Sequence, residues 1–166
     1  MQERETRERL VNRAGRLLAR RLYSCGEMKL KLLAYATEKE VDATLTRLKE
    51  LNLLNDNNYA YNLALFQMAK QGWGPIKVLH SLLRHQVSTE VARSAIERVR
   101  KAEGCEVALT RYLERFFRKC PVPENRKELV KLVNRLRMRG FEEDTIFSIL
   151  RQRIPTAVWR KFDMGE

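Results

Sequence analysis

Basic side chains recur at a four-residue spacing near the end of the 166-residue chain. The row consists of Lys127, Lys131, Arg135 and Arg139, which share one face if the segment is helical. Their Cβ atoms then rise about 6 Å per step, close to the spacing of phosphates along a nucleic-acid strand. The row therefore predicts phosphate binding. Most charge rows are solvated helix faces, but here like charges at i, i+4 cost stability and no acid interrupts the row.

A shorter basic row precedes it and repeats the same spacing. Arg111, Arg115 and Lys119 are four residues apart, and Arg118 lies beside them. The planar guanidinium fork of arginine suits phosphate or carboxylate groups. We therefore add these four residues to the candidate binding residues.

Trp73 stands between Gly72 and Gly74, directly before Pro75. Two glycines followed by a proline predict a sharp corner that ends one helix and starts another. A tryptophan at such a corner is either an exposed anchor for a partner or a nucleic-acid base, or a side chain that packs over the adjoining helices. Both interpretations stay open, and Trp73 is kept as a candidate site residue.

No catalytic or metal-binding pattern is present in the sequence. Cys25, Cys105 and Cys120 are far apart and predict reduced thiols, and His80 and His85 are spaced to lie on different helix faces. The Gly72–Gly74 segment also lacks the Lys-Ser/Thr pair of a phosphate-binding P-loop. These features predict a protein that is not an enzyme and takes no cofactor or metal.

The net charge of +12 is unevenly distributed. Residues 111–166 hold 14 Lys and Arg against 8 Asp and Glu, so half of the surplus lies in the last third. Such a field favours polyanionic partners. Since no apolar run reaches the roughly 18 residues needed to span a bilayer, and the N-terminal residues lack the apolar core of a secretory signal, we expect a cytoplasmic protein with no membrane association.

Apolar residues recur at helical spacing along the whole chain, with no alternating pattern that would favour strands. Two capping-box patterns, Ser24 with Glu27 and Thr37 with Glu40, mark helix starts. The prediction is therefore an all-α fold. The expected helices span 5–21, 28–36, 38–51, 57–71, 75–86, 89–102, 105–119, 124–139 and 142–152.

The apolar pattern also repeats. A shift of 54 residues aligns Leu82 with Leu136, and a shift of about 51 places Met28 under Leu79. We therefore predict three tandem three-helix, helix-turn-helix-like repeats, in which neighbouring units bury each other's apolar faces. The predicted repeats are 1–54, 55–104 and 105–153, followed by a short C-terminal tail, 154–166.

Motifs in the first two predicted repeats resemble the RecX family of recombination regulators, over about residues 10 to 153. The residues that carry the resemblance are Tyr23-Ser24, Glu27 and Leu32, then Leu48, Leu53-Leu54-Asn55-Asp56 and Tyr59-Ala60, then Gly72-Trp73-Gly74-Pro75, Ile76, Leu79, Leu83 and Val87. Asn55 stands where the family usually has Asp and Asn52 where it usually has Gly; the Gly26-Glu27-Met28 run also varies the family's acidic-leucine pair. The third repeat is similar in apolar spacing alone.

The resemblance implies a regulator of RecA-type recombinase filaments on single- or double-stranded DNA. It implies an elongated, curved, monomeric array that binds without sequence specificity and inhibits ATP hydrolysis and strand exchange in DNA recombination, DNA repair and the SOS response. Two alternatives stay open, a free-standing helix-turn-helix-like DNA-binding protein and a structural scaffold for another protein. A protein that recognises a DNA sequence needs Asn, Gln and Arg on one recognition helix. The predicted helices 38–51, 89–102 and 142–152 carry mostly Glu, Arg and Thr, which weakens the alternative of a free-standing DNA-binding protein.

Overall fold

The computed structural model describes the backbone of residues 2–163 and, within that range, the side chains of residues 5–104 and 106–160. Its helices are α1 Gln2–Leu18, α2 Cys25–Leu32, α3 Glu38–Glu50, α4 Asp56–Leu65, α5 Pro75–Arg84, α6 Thr89–Glu103, α7 Cys105–Phe117, α8 Arg126–Met138, α9 Glu143–Arg151 and α10 Thr156–Asp163. No residue from 2 to 163 forms a strand, so the prediction of an all-α fold is confirmed.

Capping chemistry accounts for several helix starts. The Oγ of Ser24 accepts the Glu27 N–H at 3.0 Å, and a Glu27 carboxylate oxygen accepts the Ser24 N–H at 3.3 Å. The carboxylate of Glu40 accepts the Thr37 N–H at 2.9 Å at the start of α3. Asn55 caps α4 through its side-chain oxygen. These starts lie within four residues of the predicted positions. The agreement is expected, because a capping side chain binds N–H groups within a single helical turn and is therefore visible in the local sequence.

Two elements differ from the sequence prediction. The helix expected over 57–71 changes after Leu65 into a π-helical turn, Phe66–Lys70, with the Gln71 N–H donating to the Phe66 carbonyl at 3.3 Å. Beyond residue 153, where a tail was predicted, α10 forms and buries Val158 and Trp159, each 4% exposed. Pro155 directly precedes α10. The last three residues of the predicted tail, 164–166, lie outside the described residues.

The described chain divides into two compact units. Unit 1 contains the residues up to 63 together with 81–95. Its core joins α1, α2 and α3, through a cluster that comprises Leu10, Ala14, Met28, Leu32, Val41, Leu45, Leu48 and Leu54.

Unit 2 contains residues 64–80 and those from 96 onward. Helices α7 and α8 pack against α9, and α10 packs against α8. The predicted apolar face of α8 is buried as expected: Leu129, Leu132, Val133 and Leu136 are at most 3% exposed. The division of the chain into repeats 1–54, 55–104 and 105–153, and their curved arrangement, stay predictions.

Candidate nucleic-acid interface

The C-terminal part of α7 and the end of α8 line one groove in unit 2, of about 480 Å³. Tyr112 and Leu113 are buried, and they hold α7 so that its basic residues face solvent. We call this site the basic groove; its lining residues are Gln71, Tyr112, Arg115, Phe116, Arg118, Lys119 and Arg139. Two basic segments that are separate in sequence therefore meet in one place.

Two aromatic rings form the wall between these basic side chains. Tyr112 and Phe116, one helical turn apart, stack with ring centroids 6.2 Å apart. The guanidinium carbon of Arg139 lies 4.3 Å from the Tyr112 ring centroid, and that of Arg135 lies 5.2 Å from the Phe116 ring centroid. Cation–π contacts of this kind restrict arginine rotamers, which lowers the entropy that a ligand must remove on binding.

A second cavity, of about 420 Å³, shares Phe116 with the basic groove. Lys131 and Arg135 line it together with Cys120, Pro121 and Glu128. The N–H of Glu124 donates to the Glu128 carboxylate at 3.0 Å; this bond, together with Asn125, holds the pKa of Glu128 below its usual value. The carboxylate therefore stays charged and partly offsets the positive charge of Lys131.

Arg139 differs from the other three members of its row. It is half-buried, and its Nη1 donates to the carbonyls of Gln71 at 2.9 Å and Gly72 at 3.3 Å. Lys127, Lys131 and Arg135 are exposed. Arg139 thus holds the Gln71–Gly72 backbone, and the outward-facing charge of the row comes from the other three residues.

The structure leaves three predicted site residues outside both cavities. Arg111 pairs with Glu103, with Nη1 and Oε2 3.3 Å apart, and Lys127 is exposed one turn before Lys131. Trp73 is half-buried, with the Lys77 ammonium 4.4 Å from its ring centroid. Of the two interpretations of Trp73, this placement favours packing at the corner.

The corner that contains Trp73 lies directly against the end of α8. The Gly74 N–H donates to the Arg139 carbonyl at 2.7 Å, and the Ile76 N–H donates to the Gly140 carbonyl at 3.0 Å. A Cβ on Gly74 would lie 2.2 Å from the Gly140 carbonyl oxygen. A glycine is therefore required at Gly74 by the close approach of two backbones.

Sequence reasoning did not single out two aromatic residues of this site, Tyr112 and Phe116. Phe116 is only half-buried and lines both cavities. The usable signal was the interleaving of aromatic residues at 112 and 116 with basic residues at 111, 115 and 118–119.

Neither a metal site nor a membrane span is found within the described parts of the chain. There, no three His, Cys, Asp or Glu side chains come together in a way that could hold a metal ion. Cys25 and Cys120 are free thiols, and the Cys105 side chain lies outside the described residues. None of the described helices has the length and apolar character needed to cross a bilayer.

Comparison with known proteins identifies the family. No protein-family model matches the chain. The chain is, however, 33% identical over 128 residues to the regulatory protein RecX of Thermus thermophilus. The aligned segment covers 77% of this chain and 80% of that protein. The chain belongs to the RecX family of regulatory proteins. The RecX protein of Stenotrophomonas maltophilia is 31% identical over 137 residues, 82% of each chain.

Two RecX crystal structures share the fold. RecX from Lactobacillus salivarius superposes with a TM-score of 0.72 at 22% identity, covering 89% of this chain and 96% of that one. A second crystal structure, of a regulatory protein RecX, superposes with a TM-score of 0.73 at 19% identity. The superposition covers 89% of this chain and 74% of that one. These structures show that the fold is shared, and the sequence relatives confirm the RecX resemblance that the motifs predicted.

The RecX-like motif residues of the first segment build a polar cluster in unit 1. The side chain of Glu27 is 15% exposed, and its Oε1 lies 3.0 Å from Arg21 Nη2 and 3.1 Å from His85 Nδ1. The hydroxyl of Tyr59 donates to the Glu27 carboxylate at 3.3 Å, and Ser24 Oγ donates to the His85 carbonyl. The motif thus ties α2 to α4 and to the turn after α5.

Electrostatics in this cluster follow from burial and hydrogen bonding. Burial raises the pKa of Glu27, but the hydrogen bonds from Arg21 and His85, with that from the Ser24 N–H, outweigh it and leave the pKa below its usual value. Burial, with Glu27 nearby, raises the pKa of Tyr59 to about 12. Because the cluster is internally satisfied, we interpret it as structural.

Proposed function

We propose that this RecX-family protein binds the filament that a RecA-type recombinase forms on DNA and restrains its ATP hydrolysis and strand exchange. It acts in the cytoplasm, as a monomer, in DNA recombination, DNA repair and the SOS response. It works by binding and carries out no catalysis. Membership of a family of regulatory proteins supports a regulatory role, and the basic groove supports a polyanionic contact.

The basic groove is the observation that carries the DNA part of the proposal. Arg115, Arg118 and Lys119 are exposed around the ring of Phe116. Their charges neutralise phosphates, and release of the counterions held by the DNA drives binding without reading bases. Lys131 and Arg135 extend the positive surface beyond Phe116. Contacts to phosphates alone are independent of sequence, as expected for a protein that follows a filament rather than an operator.

The experiment is a recombinase ATPase assay on single-stranded DNA, with this protein added below the recombinase concentration. Strong loss of ATP hydrolysis at substoichiometric amounts is expected, since one bound molecule then affects many filament subunits. An unchanged ATPase rate together with tight binding to DNA alone would contradict the proposal and favour a free-standing DNA-binding protein. Binding of a protein partner without DNA and with little salt dependence would favour a scaffold.

A triple variant tests the basic groove within the same assay. Arg115→Ala, Arg118→Ala and Lys119→Ala together should lower filament affinity about tenfold or more at low salt, with a smaller difference as salt rises. The matched control removes three exposed charges from unit 2 that line neither cavity, Lys101→Ala, Arg126→Ala and Arg160→Ala. Equal losses in the two triple variants would show an effect of net charge alone.

The α8 row is tested separately with Lys127→Ala, Lys131→Ala and Arg135→Ala. Helical content should stay unchanged, because all three side chains are exposed, while filament or DNA affinity falls. Unchanged affinity at low salt would remove this row from the site.

A further inference from the structure

A second group of arginines, in unit 1, surrounds an exposed aromatic ring. Arg9, Arg13 and Arg16 follow one another at i, i+4 and i+7 on α1, and all three are exposed. Leu10 and Ala14, 3% and 0% exposed, hold α1 against the core and so fix this face toward solvent. The arginine face borders a cavity of about 510 Å³ whose further lining includes Thr6, Asn12 and Tyr35.

Arg13 and Tyr35 form a preassembled stack at this cavity. The guanidinium carbon of Arg13 lies 3.3 Å from the Tyr35 ring centroid, which is van der Waals contact. Tyr35 is nevertheless 56% exposed. A stacked guanidinium keeps its N–H donors at the edge, and more than half of the Tyr35 surface stays accessible beside it. Its geometry is set before any ligand arrives.

We propose that Arg13, Arg16 and Tyr35 form a second nucleic-acid site, one that takes single-stranded nucleic acid. Arg13 and Arg16 bind successive phosphates, and an unpaired base stacks on the exposed part of the Arg13–Tyr35 pair. Arg9 contributes less, because it forms an ion pair with Glu5 at 3.0 Å. The biological role of the site rests on the proposed function, while its test requires no recombinase.

The lining of the cavity favours a single strand over the other polyanions. Duplex DNA keeps its bases stacked on each other and offers no free base to Tyr35. An acidic protein segment would pair its carboxylates with the guanidinium groups and would leave the exposed Tyr35 ring without a stacking partner. Guanidinium groups beside an open aromatic ring match phosphate and base together.

The test measures binding of a fluorescein-labelled, mixed-sequence single-stranded deoxyoligonucleotide by fluorescence anisotropy. It uses the full chain, both with the wild-type basic groove and with the triple variant of that groove. Tyr35→Leu should weaken binding about tenfold in both backgrounds, and Tyr35→Phe should stay within about twofold of the parent, because phenylalanine keeps the stacking face. Arg13→Ala should also weaken binding and reduce the slope of log affinity against log salt by about 0.7.

Arg7→Ala is the matched control, since Arg7 is exposed on the same helix and does not line this cavity. It should stay within about twofold of the parent. Three results would each overturn the proposal: wild-type affinity in Tyr35→Leu, equal losses in Arg7→Ala and Arg13→Ala, or equal sensitivity to Tyr35→Leu when the probe is duplex DNA or poly-glutamate. If this site fails while recombinase ATPase is still restrained, the proposed function stands without it.

Discussion

Each unit contains a corner that packs against the turn following a helix, and the two corners are held by different chemistry. In unit 1 the corner before α2 contacts the turn His85–Gln86, and in unit 2 the corner before α5 contacts the turn Arg139–Gly140. The two turns are 54 residues apart in sequence. Both turns place a residue at positive φ, +58° for Gln86 and +82° for Gly140.

Side chains hold the corner of unit 1, whereas the corner of unit 2 is held by backbone groups and by the Arg139 side chain. Ser24 and Glu27 supply the polar contacts in the first, and the N–H groups of Gly74 and Ile76 supply them in the second. A glycine allows the close approach in both cases: a Cβ on Gly26 would lie 2.4 Å from the Gln86 Cβ. The backbone approach is thus common to the two corners, while the side chains around it are free to differ.

Arg139 is an example of a side chain that differs between the two corners. His85, its counterpart in unit 1, contacts the acidic Glu27 and lies edge-on to Tyr59, with ring centroids 6.0 Å apart. Arg139 instead binds carbonyls and the Tyr112 ring, and no carboxylate in the described structure neutralises it. The corner of unit 2 therefore adds positive charge to the basic groove, while the corner of unit 1 is closed by its own counter-charges.

The largest expected effect is at the backbone approach in unit 2. Gly74→Ala should lower the free energy of unfolding by about 3 kcal/mol, because the new Cβ meets the Gly140 carbonyl, which cannot rotate away. Urea unfolding measures this. Gly15→Ala on α1 is the control: nothing lies within 4 Å of its added Cβ, so it should stabilise the protein by about 0.5–1 kcal/mol. Wild-type stability in Gly74→Ala would contradict the close approach.

Glu27→Gln should have the next largest effect, a loss of about 2 kcal/mol, since it keeps the shape of the side chain but removes the charge that Arg21 and His85 contact. The folded-state pKa of Glu27 is lowered, so its contribution is present above the unfolded pKa of about 4.3 and is lost as pH falls through the folded pKa. The stability difference between wild type and Glu27→Gln should therefore be full at pH 7 and shrink below about pH 4.

The matched position in unit 2 is Lys77, fifty residues further along the chain. Lys77→Gln removes only the contact with the Trp73 ring and should cost about 0.5 kcal/mol. A loss as large as that of Glu27→Gln would show that both corners depend on charged side chains.

Arg139→Lys should lower the free energy of unfolding by about 1 kcal/mol, because lysine cannot bridge the Gln71 and Gly72 carbonyls with a fork. Nucleic-acid affinity should change less than twofold, since the positive charge is kept. Arg115→Ala should behave in the opposite way, with lower affinity and unchanged stability, because Arg115 is exposed. Lost affinity with full stability in Arg139→Lys would make Arg139 a direct phosphate contact.

Much of the fold was predictable because its signals act within one helical turn. Periodicity identified the buried face of α8, and the Ser24–Glu27 pair identified the start of α2. The same periodicity placed Arg115 and Lys119 near one another. It missed α10, whose Val158 and Trp159 gain stability only through burial in the core of unit 2.

The nearness of the two basic segments could not be predicted, because it depends on how α7 packs on the rest of unit 2. Spacing placed Arg135 and Arg139 on one face of α8, and in the structure Arg139 turns to carbonyls 67 and 68 residues earlier in the chain. Glu27 likewise contacts His85, which lies 58 residues later in the sequence. Helix identity, the caps and the charge rows follow from the order of residues, since hydrogen bonds and side-chain neighbours within a helix reach only four positions. Packing decides which basic segments lie side by side and which charged side chains are paired within the protein. Burial of apolar surface brings residues together regardless of their separation in sequence.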